Sequence, residues 1–233
     1  VHFVQHRILT GEWLPGAKLP TERKLATMFG VNRGTVREAL RKLEALELLD
    51  IRHGDGVYVK DYLESGNLEL IRPLLYLRSL PGVDVVDNIL ELRRLMVPEM
   101  AAGAAEKRTE AHLADLQAVI SNPDLPMKEK DIRLHHIIAR ASHDILYVIT
   151  LNFFYRLYHE VIASYFDNPE TTERTRRFHA DIYRAIKNQQ PGKARKIMND
   201  ILAYAEQKIR KALGNGRNAA AGPDPASKRR TPF

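Results

Sequence analysis

The chain has 233 residues, 44 % of them apolar and 28 % charged, with a net charge of +7; that is enough apolar material for a sizeable core and enough length for two domains. It has no cysteine, which excludes disulfides and thiolate-bound zinc and fits a reducing compartment. No apolar run approaches the ~20 residues of a membrane-spanning helix, and nothing at the start reads as a secretory leader. The expected location is therefore the cytoplasm, with no membrane partner.

Taken in order, the segments alternate between helix signals and punctuation. His2–Thr10 reads as a short helix closed by Gly11. Pro15-Gly16 and Pro20 mark a loop. Thr21 offers an N-cap hydroxyl with Glu22 in the first turn, opening a short helix whose expected apolar side is Leu25, Met28 and Phe29, and Gly30 ends it. Asn32 caps a second helix, Asn32–Leu46. Its Val36, Leu40, Leu43 and Leu46 form an apolar stripe at helical spacing, while Arg33, Arg37 and Arg41 repeat on another face. Two short strands, Leu48–Arg52 and Gly56–Lys60, flank the turn His53-Gly54-Asp55-Gly56, whose glycines supply the positive φ of a hairpin. Residues 1–62 thus read as one domain.

From 63 to 213 the pattern is helical. The segments are Asn67–Arg78, Val83–Lys107, Glu110–Ile120, Met127–Ser142, Ile145–Phe166, Pro169–Asn188 and Pro191–Leu213, with a kink or break expected at Pro98. The Gly-, Pro- and Lys/Arg-rich stretch 214–233 has the composition of a disordered tail. The fold class is therefore mainly α: an N-terminal winged helix-turn-helix followed by an all-α helical bundle.

The charge is unevenly placed. Residues 1–60 hold ten Lys and Arg against seven Asp and Glu, whereas 61–213 hold 22 against 21, so an anionic partner is expected to meet the first domain. A helix that enters the major groove presents small polar residues and Arg from its N-terminal end to base edges. Asn32, Arg33, Gly34, Thr35 and Arg37 supply that set. Arg23 on the preceding helix is placed to meet a phosphate or a base, and Gly54 beside His53 allows the wing a close approach. A basic helix face alone is more often simply solvated; the helix, turn, helix and wing in this order are what raise it to a DNA interface.

Three stretches carry a resemblance: Gly11-Glu-Trp-Leu-Pro-Gly-Ala-Lys-Leu-Pro-Thr-Glu-Arg23, Val31-Asn-Arg-Gly-Thr-Val-Arg-Glu-Ala-Leu40 and Arg52-His-Gly-Asp-Gly-Val-Tyr-Val59. Together they resemble the GntR family of bacterial regulators, in which Ser usually stands at the place of Asn32. The resemblance implies that Arg23, Asn32, Arg33, Thr35, Arg37, His53 and Gly54 lie at a DNA interface. It also implies that the protein binds a near-palindromic double-stranded operator as a homodimer.

The helical region resembles the effector domain of the FadR branch, of the FCD type, through Glu91-Leu-Arg93, Asp131-Ile-Arg-Leu-His135 with Ala141-Ser142, and Arg177-Phe-His179. Asp131 and His135 stand at i, i+4 on one helix face, where a carboxylate and an imidazole can share a divalent cation such as Zn or Ni; His179 could complete a three-ligand set. Metal-binding members of the family carry a further His where Ile201 stands here, beside Asp200. Against the metal reading, such a pair is often surface or core hydrogen bonding. Tyr155-Arg-Leu-Tyr158, Ser164-Tyr-Phe166 and Asn168-Pro-Glu170 are similar to the fatty-acid regulators of this branch, which makes acyl-CoA one option for the effector and a small carboxylate metabolite another; the same aromatics also suit a bundle core. Arg93, Tyr155 and Tyr158 are the candidate effector contacts, although Arg93 could equally pair with Glu91 or another acid. The expected function is an effector-responsive transcription factor rather than an enzyme. The alternative is a metal-dependent hydrolase built on Asp131, His135 and His179, which lacks a general base, a nucleophile motif and a phosphate loop.

Overall fold

The computed structural model describes the backbone of residues 1–76 and 85–220, and the side chains of 1–75, 85–155 and 165–211. The chain divides into two compact units, Val1–Asn88 and Ile89 onward.

The first unit opens with α1 (His2–Leu9), α2 (Glu22–Phe29) and α3 (Arg33–Ala45). Helix α2 starts where the Thr21 hydroxyl accepts the Lys24 N–H, and stops where Gly30 takes φ 63°, a conformation that glycine adopts without strain. Helix α3 starts at Asn32, whose side chain accepts the Thr35 N–H. Val36, Leu40 and Leu43 of α3 are buried with Val4, Ile8, Leu9, Leu25, Leu48, Leu49 and Val59. Burying each such side chain contributes about 1.5–3 kcal/mol. The expected apolar side of α2 is only partly right: Leu25 and Ala26 are buried, but Met28 and Phe29 are exposed. The helix is two turns long, and its last turn has already left the core. Phe29 instead meets Phe3 edge-on.

The wing is an antiparallel pair, β1 (Leu49–Arg52) and β2 (Gly56–Val59), with Leu49 opposite Val59 and Arg52 opposite Gly56. A third extended segment, read as plain loop in the sequence, lies along β2. The Gly16 and Leu19 N–H groups donate to the Val59 and Val57 carbonyls, and the Val59 N–H donates to the Ala17 carbonyl. Next come α4 (Tyr62–Ser65), a 3-10 turn (Leu68–Leu70) and α5 (Ile71–Tyr76). Leu70 is buried in the first unit's core, and Tyr62 and Leu74 pack against it. That is why this compact unit reaches past the boundary at 62 suggested by the motifs. Of the expected helix Asn67–Arg78, residues 77 and 78 lie outside the described residues, as does the start of the next.

The second unit holds α6 (Val85–Lys107), which begins at the end of the first, α7 (Glu110–Ser121), α8 (Met127–Ala141), α9 (Ile145–Phe166), α10 (Pro169–Lys187) and α11 (Pro191–Ala220). Helix α8 packs on α7 and α9, and α10 packs on α7, α8 and α11. Leu116, Leu134, Ile138, Phe154, Ile182 and Met198 form the centre. No break occurs at Pro98, which is buried inside a continuous α6. Proline forfeits one ladder hydrogen bond, and Val97, Met100 and Ala101 around it are buried. Helix α11 runs seven residues beyond its expected end at Leu213, since extending a formed helix is far easier than nucleating one. The rest of the stretch read as disordered, 221–233, lies outside the described residues. None of the described helices is long and apolar enough to cross a membrane.

Candidate nucleic-acid interface and ligand cavity

All eight residues expected at the DNA interface are exposed: Arg23, Asn32, Arg33, Gly34, Thr35, Arg37, His53 and Gly54. Five of them crowd the N-terminal end of α3. The Asn32 side-chain oxygen Oδ1 accepts the Thr35 N–H at 2.8 Å and the Thr35 hydroxyl at 3.2 Å, so the side-chain amide hydrogens of Asn32 are left for an outside acceptor. A Cβ on residue 34 would sit 3.1 Å from that same oxygen, which is why glycine suits the position. Asn32→Ala is expected to destabilise the first unit by about 1 kcal/mol through the lost cap, which thermal unfolding will register.

Arg37 is paired within the protein. Its Nε and Nη2 donate to Glu22 Oε1 and Oε2 at 3.1 and 2.9 Å. Hydrogen bonds from Arg37, outweighing a small contribution from burial, hold the Glu22 carboxyl below its usual range, with Arg33 and Arg41 adding to the effect. Glu22 was read from sequence only as a helix-start acid. Its pairing across two helices has no local signature.

At the wing tip Gly54 takes φ 77°, and His53 stands exposed beside it. The turn is braced from below. Asp55 accepts from Lys18 Nζ at 2.9 Å and from the Tyr58 hydroxyl at 2.8 Å, while the Arg52 guanidinium lies 4.3 Å from the Tyr58 ring centre. A stiff wing presents His53 and Gly54 in a fixed place.

In the second unit, α8 and α10 bring Asp131, His135 and His179 together as the spacing suggested. Asp131 Oδ1 lies 2.9 Å from His179 Nε2, and Asp131 Oδ2 lies 3.8 Å from His135 Nε2. Burial pushes the His135 imidazole down to about 4 against the pull of Asp131, so it is neutral at neutral pH. Burial works to raise the Asp131 carboxyl, but the hydrogen bond from His179 and the charge of Arg93 hold it below the ordinary range. An ionised carboxylate only accepts, so His179 Nε2 carries the hydrogen. As arranged, His179 is hydrogen-bonded to Asp131, and His135 lies beside the carboxylate without a hydrogen bond to it. Among the described residues, no group of three or more His, Cys, Asp or Glu side chains is placed to hold a metal ion. His179 Nε2 is engaged with Asp131, and Ile201 presents an aliphatic wall where a further imidazole would stand.

Asp131 and His135 face a cavity of about 40 Å³, whose other walls include Arg93, Tyr155, Tyr165, Thr175 and Ile201. Arg93 and Tyr155, expected as effector contacts, both line this cavity, whereas the Tyr158 side chain lies outside the described residues. Tyr165 and Thr175 were not foreseen. Thr171, Thr175 and His179 are all buried on α10, and their i, i+4, i+8 spacing was readable. The hydroxyls of Tyr155, Tyr165 and Thr175 are buried, and that of Tyr155 has no hydrogen-bond partner. Burial raises the Tyr155 phenol well above its ordinary value and takes Tyr165 up to about 12, so both stay protonated and able to donate.

A helix-turn-helix with an exposed basic face, followed by a helical unit with a small cavity, is the architecture of a DNA-binding regulator. The chain belongs to the GntR family: the family described as "Bacterial regulatory proteins, gntR family" matches residues 2–59, and the FadR C-terminal domain matches 60–213. It is similar to the HTH-type transcriptional regulator Mce2R of Mycobacterium tuberculosis, 44 % identical over 109 residues, which is 47 % of this chain and 45 % of that protein; the match spans less than half of either. It is also similar to the fatty acid metabolism regulator protein of Shewanella frigidimarina, 31 % identical over 76 % of this chain and 75 % of that one. A GntR-family structure from Pseudomonas syringae shares the fold, with a TM-score of 0.50 at 19 % identity over 94 % of this chain and 86 % of that one. The protein is a GntR/FadR-type DNA-binding transcriptional regulator.

Proposed function

We propose that the chain binds a near-palindromic operator as a homodimer, and that a compact organic acid in the helical unit sets its affinity for that operator. The observation that carries the ligand half is the cavity. One guanidinium and three buried hydroxyls, from Arg93, Tyr155, Tyr165 and Thr175, line the same space, and the Tyr155 hydroxyl has no partner. A buried hydroxyl without a partner costs about 1–3 kcal/mol, and a carboxylate that accepts from it removes that cost. Small size favours such a ligand: a water needs roughly 10–15 Å³ measured this way, so about 40 Å³ suits a few heavy atoms. An acyl-CoA is the second reading. The likeness to a fatty acid metabolism regulator favours it, and it requires the helices to part.

The ligand must bind two states of the protein unequally to act at all. Thermal unfolding of the full chain with lactate, succinate, citrate, octanoate and octanoyl-CoA tests the choice. A binder at about 100 times its Kd adds about 2.7 kcal/mol of stability. The expected result is a shift with one of the three short hydroxy or dicarboxylic acids in the wild type that is lost in Arg93→Ala. A shift with octanoyl-CoA alone overturns the compact-acid reading. Light scattering giving a monomer overturns the dimer.

A Zn or Ni ion held by Asp131, His135 and His179 is a separate proposal, supported by the two imidazoles around one carboxylate. Elemental analysis of the purified protein tests it: near one equivalent, lost in His179→Leu, supports the site, and a trace amount unchanged by that substitution counts against it.

A further inference from the structure

We infer that Glu22 is a positioning residue for DNA reading: it aims the Arg37 guanidinium at a base edge and lowers the charge of the reading face, so that Arg37 contributes to sequence discrimination more than to general phosphate attraction. The geometry is specific. Glu22 sits at the start of α2 and Arg37 in the second turn of α3, and the pair is bidentate at 3.1 and 2.9 Å. A guanidinium has five N–H donors in one plane. With Nε and one Nη2 hydrogen on Glu22, the remaining donors are both Nη1 hydrogens and the second Nη2 hydrogen. A guanine edge needs two parallel donors for its O6 and N7, and they remain available on the side facing away from Glu22. Arg37 is 56 % exposed and Glu22 34 % exposed at the side chain. That degree of exposure makes the pair a weak source of stability, so fold maintenance does not account for it. What the pair does is fix a long side chain that would otherwise have to be ordered during binding, at roughly 0.5–1.5 kcal/mol.

Glu22 lies within the influence of Arg33, Arg37 and Arg41, so one carboxylate offsets part of three cations. Affinity for any duplex falls with salt at a slope of about 0.9 per phosphate neutralised. A face carrying Glu22 therefore holds non-operator DNA more weakly than its arginines alone would.

The test uses the full chain and two duplexes: one selected by the wild type from a randomised library, and a scrambled duplex of the same composition. Two substitutions separate the two roles. Glu22→Gln removes charge and one strong acceptor. It is expected to bind the scrambled duplex more tightly, with a salt slope steeper by about 1 per protomer, and to lose about tenfold in the ratio of selected to scrambled affinity. Glu22→Asp keeps the charge but cannot reach Arg37 with both oxygens. It is expected to keep the wild-type salt slope and still lose several-fold in that ratio. In Arg37→Lys, which cannot form the fork, adding Glu22→Gln is expected to cost no further discrimination. An unchanged ratio in both Glu22 variants overturns the inference. So does an equal loss on both duplexes accompanied by a lower Tm, which marks the pair as a structural tie.

Discussion

Arg33→Ala and Arg37→Ala are each expected to weaken operator binding by about 2–6 kcal/mol in a dimer, that is, roughly 30-fold or more, while both units stay folded. A bidentate arginine contact to guanine is worth about 1–3 kcal/mol, and each arginine occurs twice in a two-fold complex. Both side chains are exposed. Val36, Leu40 and Leu43, which hold α3 in place, are buried in the core, so removing the exposed arginines leaves that core intact. The two substitutions should not be equal. Arg37→Ala also strands the Glu22 carboxylate beside the approaching phosphates, so its loss is expected to be the larger. Fluorescence anisotropy with a selected duplex gives the affinities, and thermal unfolding reports the fold. Wild-type affinity in both variants contradicts the assignment of α3 as the reading helix.

Tyr155→Phe is expected to act in two directions at once: the ligand-free protein gains about 1–3 kcal/mol and the response to its organic acid falls about tenfold. The ring is retained, with its stacking on His136 at 5.3 Å. What disappears is a buried hydroxyl that has no partner and whose desolvation is uncompensated until a ligand arrives. For a chain of this size, 1 kcal/mol corresponds to about 2–4 °C in Tm, so the gain is measurable. The affinity loss reflects one hydrogen bond to a charged acceptor, about 1.5–3 kcal/mol. A Tyr155→Phe protein of lower Tm with an unchanged ligand response contradicts this account of the cavity.

Much of the first unit was legible because its devices are local. Thr21, Gly30 and Asn32 announce helix ends through their own backbone preferences, and the stripe Val36, Leu40, Leu43 announces a buried face. Met28 and Phe29 misled because periodicity does not say where a two-turn helix leaves the core. The Glu22–Arg37 fork and the bracing of Asp55 by Lys18 were hidden, since each joins elements whose relative placement only the fold supplies. The boundary at 62 followed the motifs, whereas Leu70 and Leu74 extend the first core by packing, which no motif records. In the helical unit the i, i+4 pair Asp131 and His135 was readable, and with it the spacing of Thr175 and His179. That the three hydroxyls would close on one cavity with Arg93 was not, because the four residues come from three helices, α6, α9 and α10.

The most direct test of the whole account is the operator affinity of the full-length wild type, measured by anisotropy on a selected duplex with and without a saturating short organic acid that stabilises the protein. The account predicts a change of about 5- to 150-fold, the range expected for coupling of 1–3 kcal/mol between two sites. An affinity that is the same with the cavity filled would contradict it.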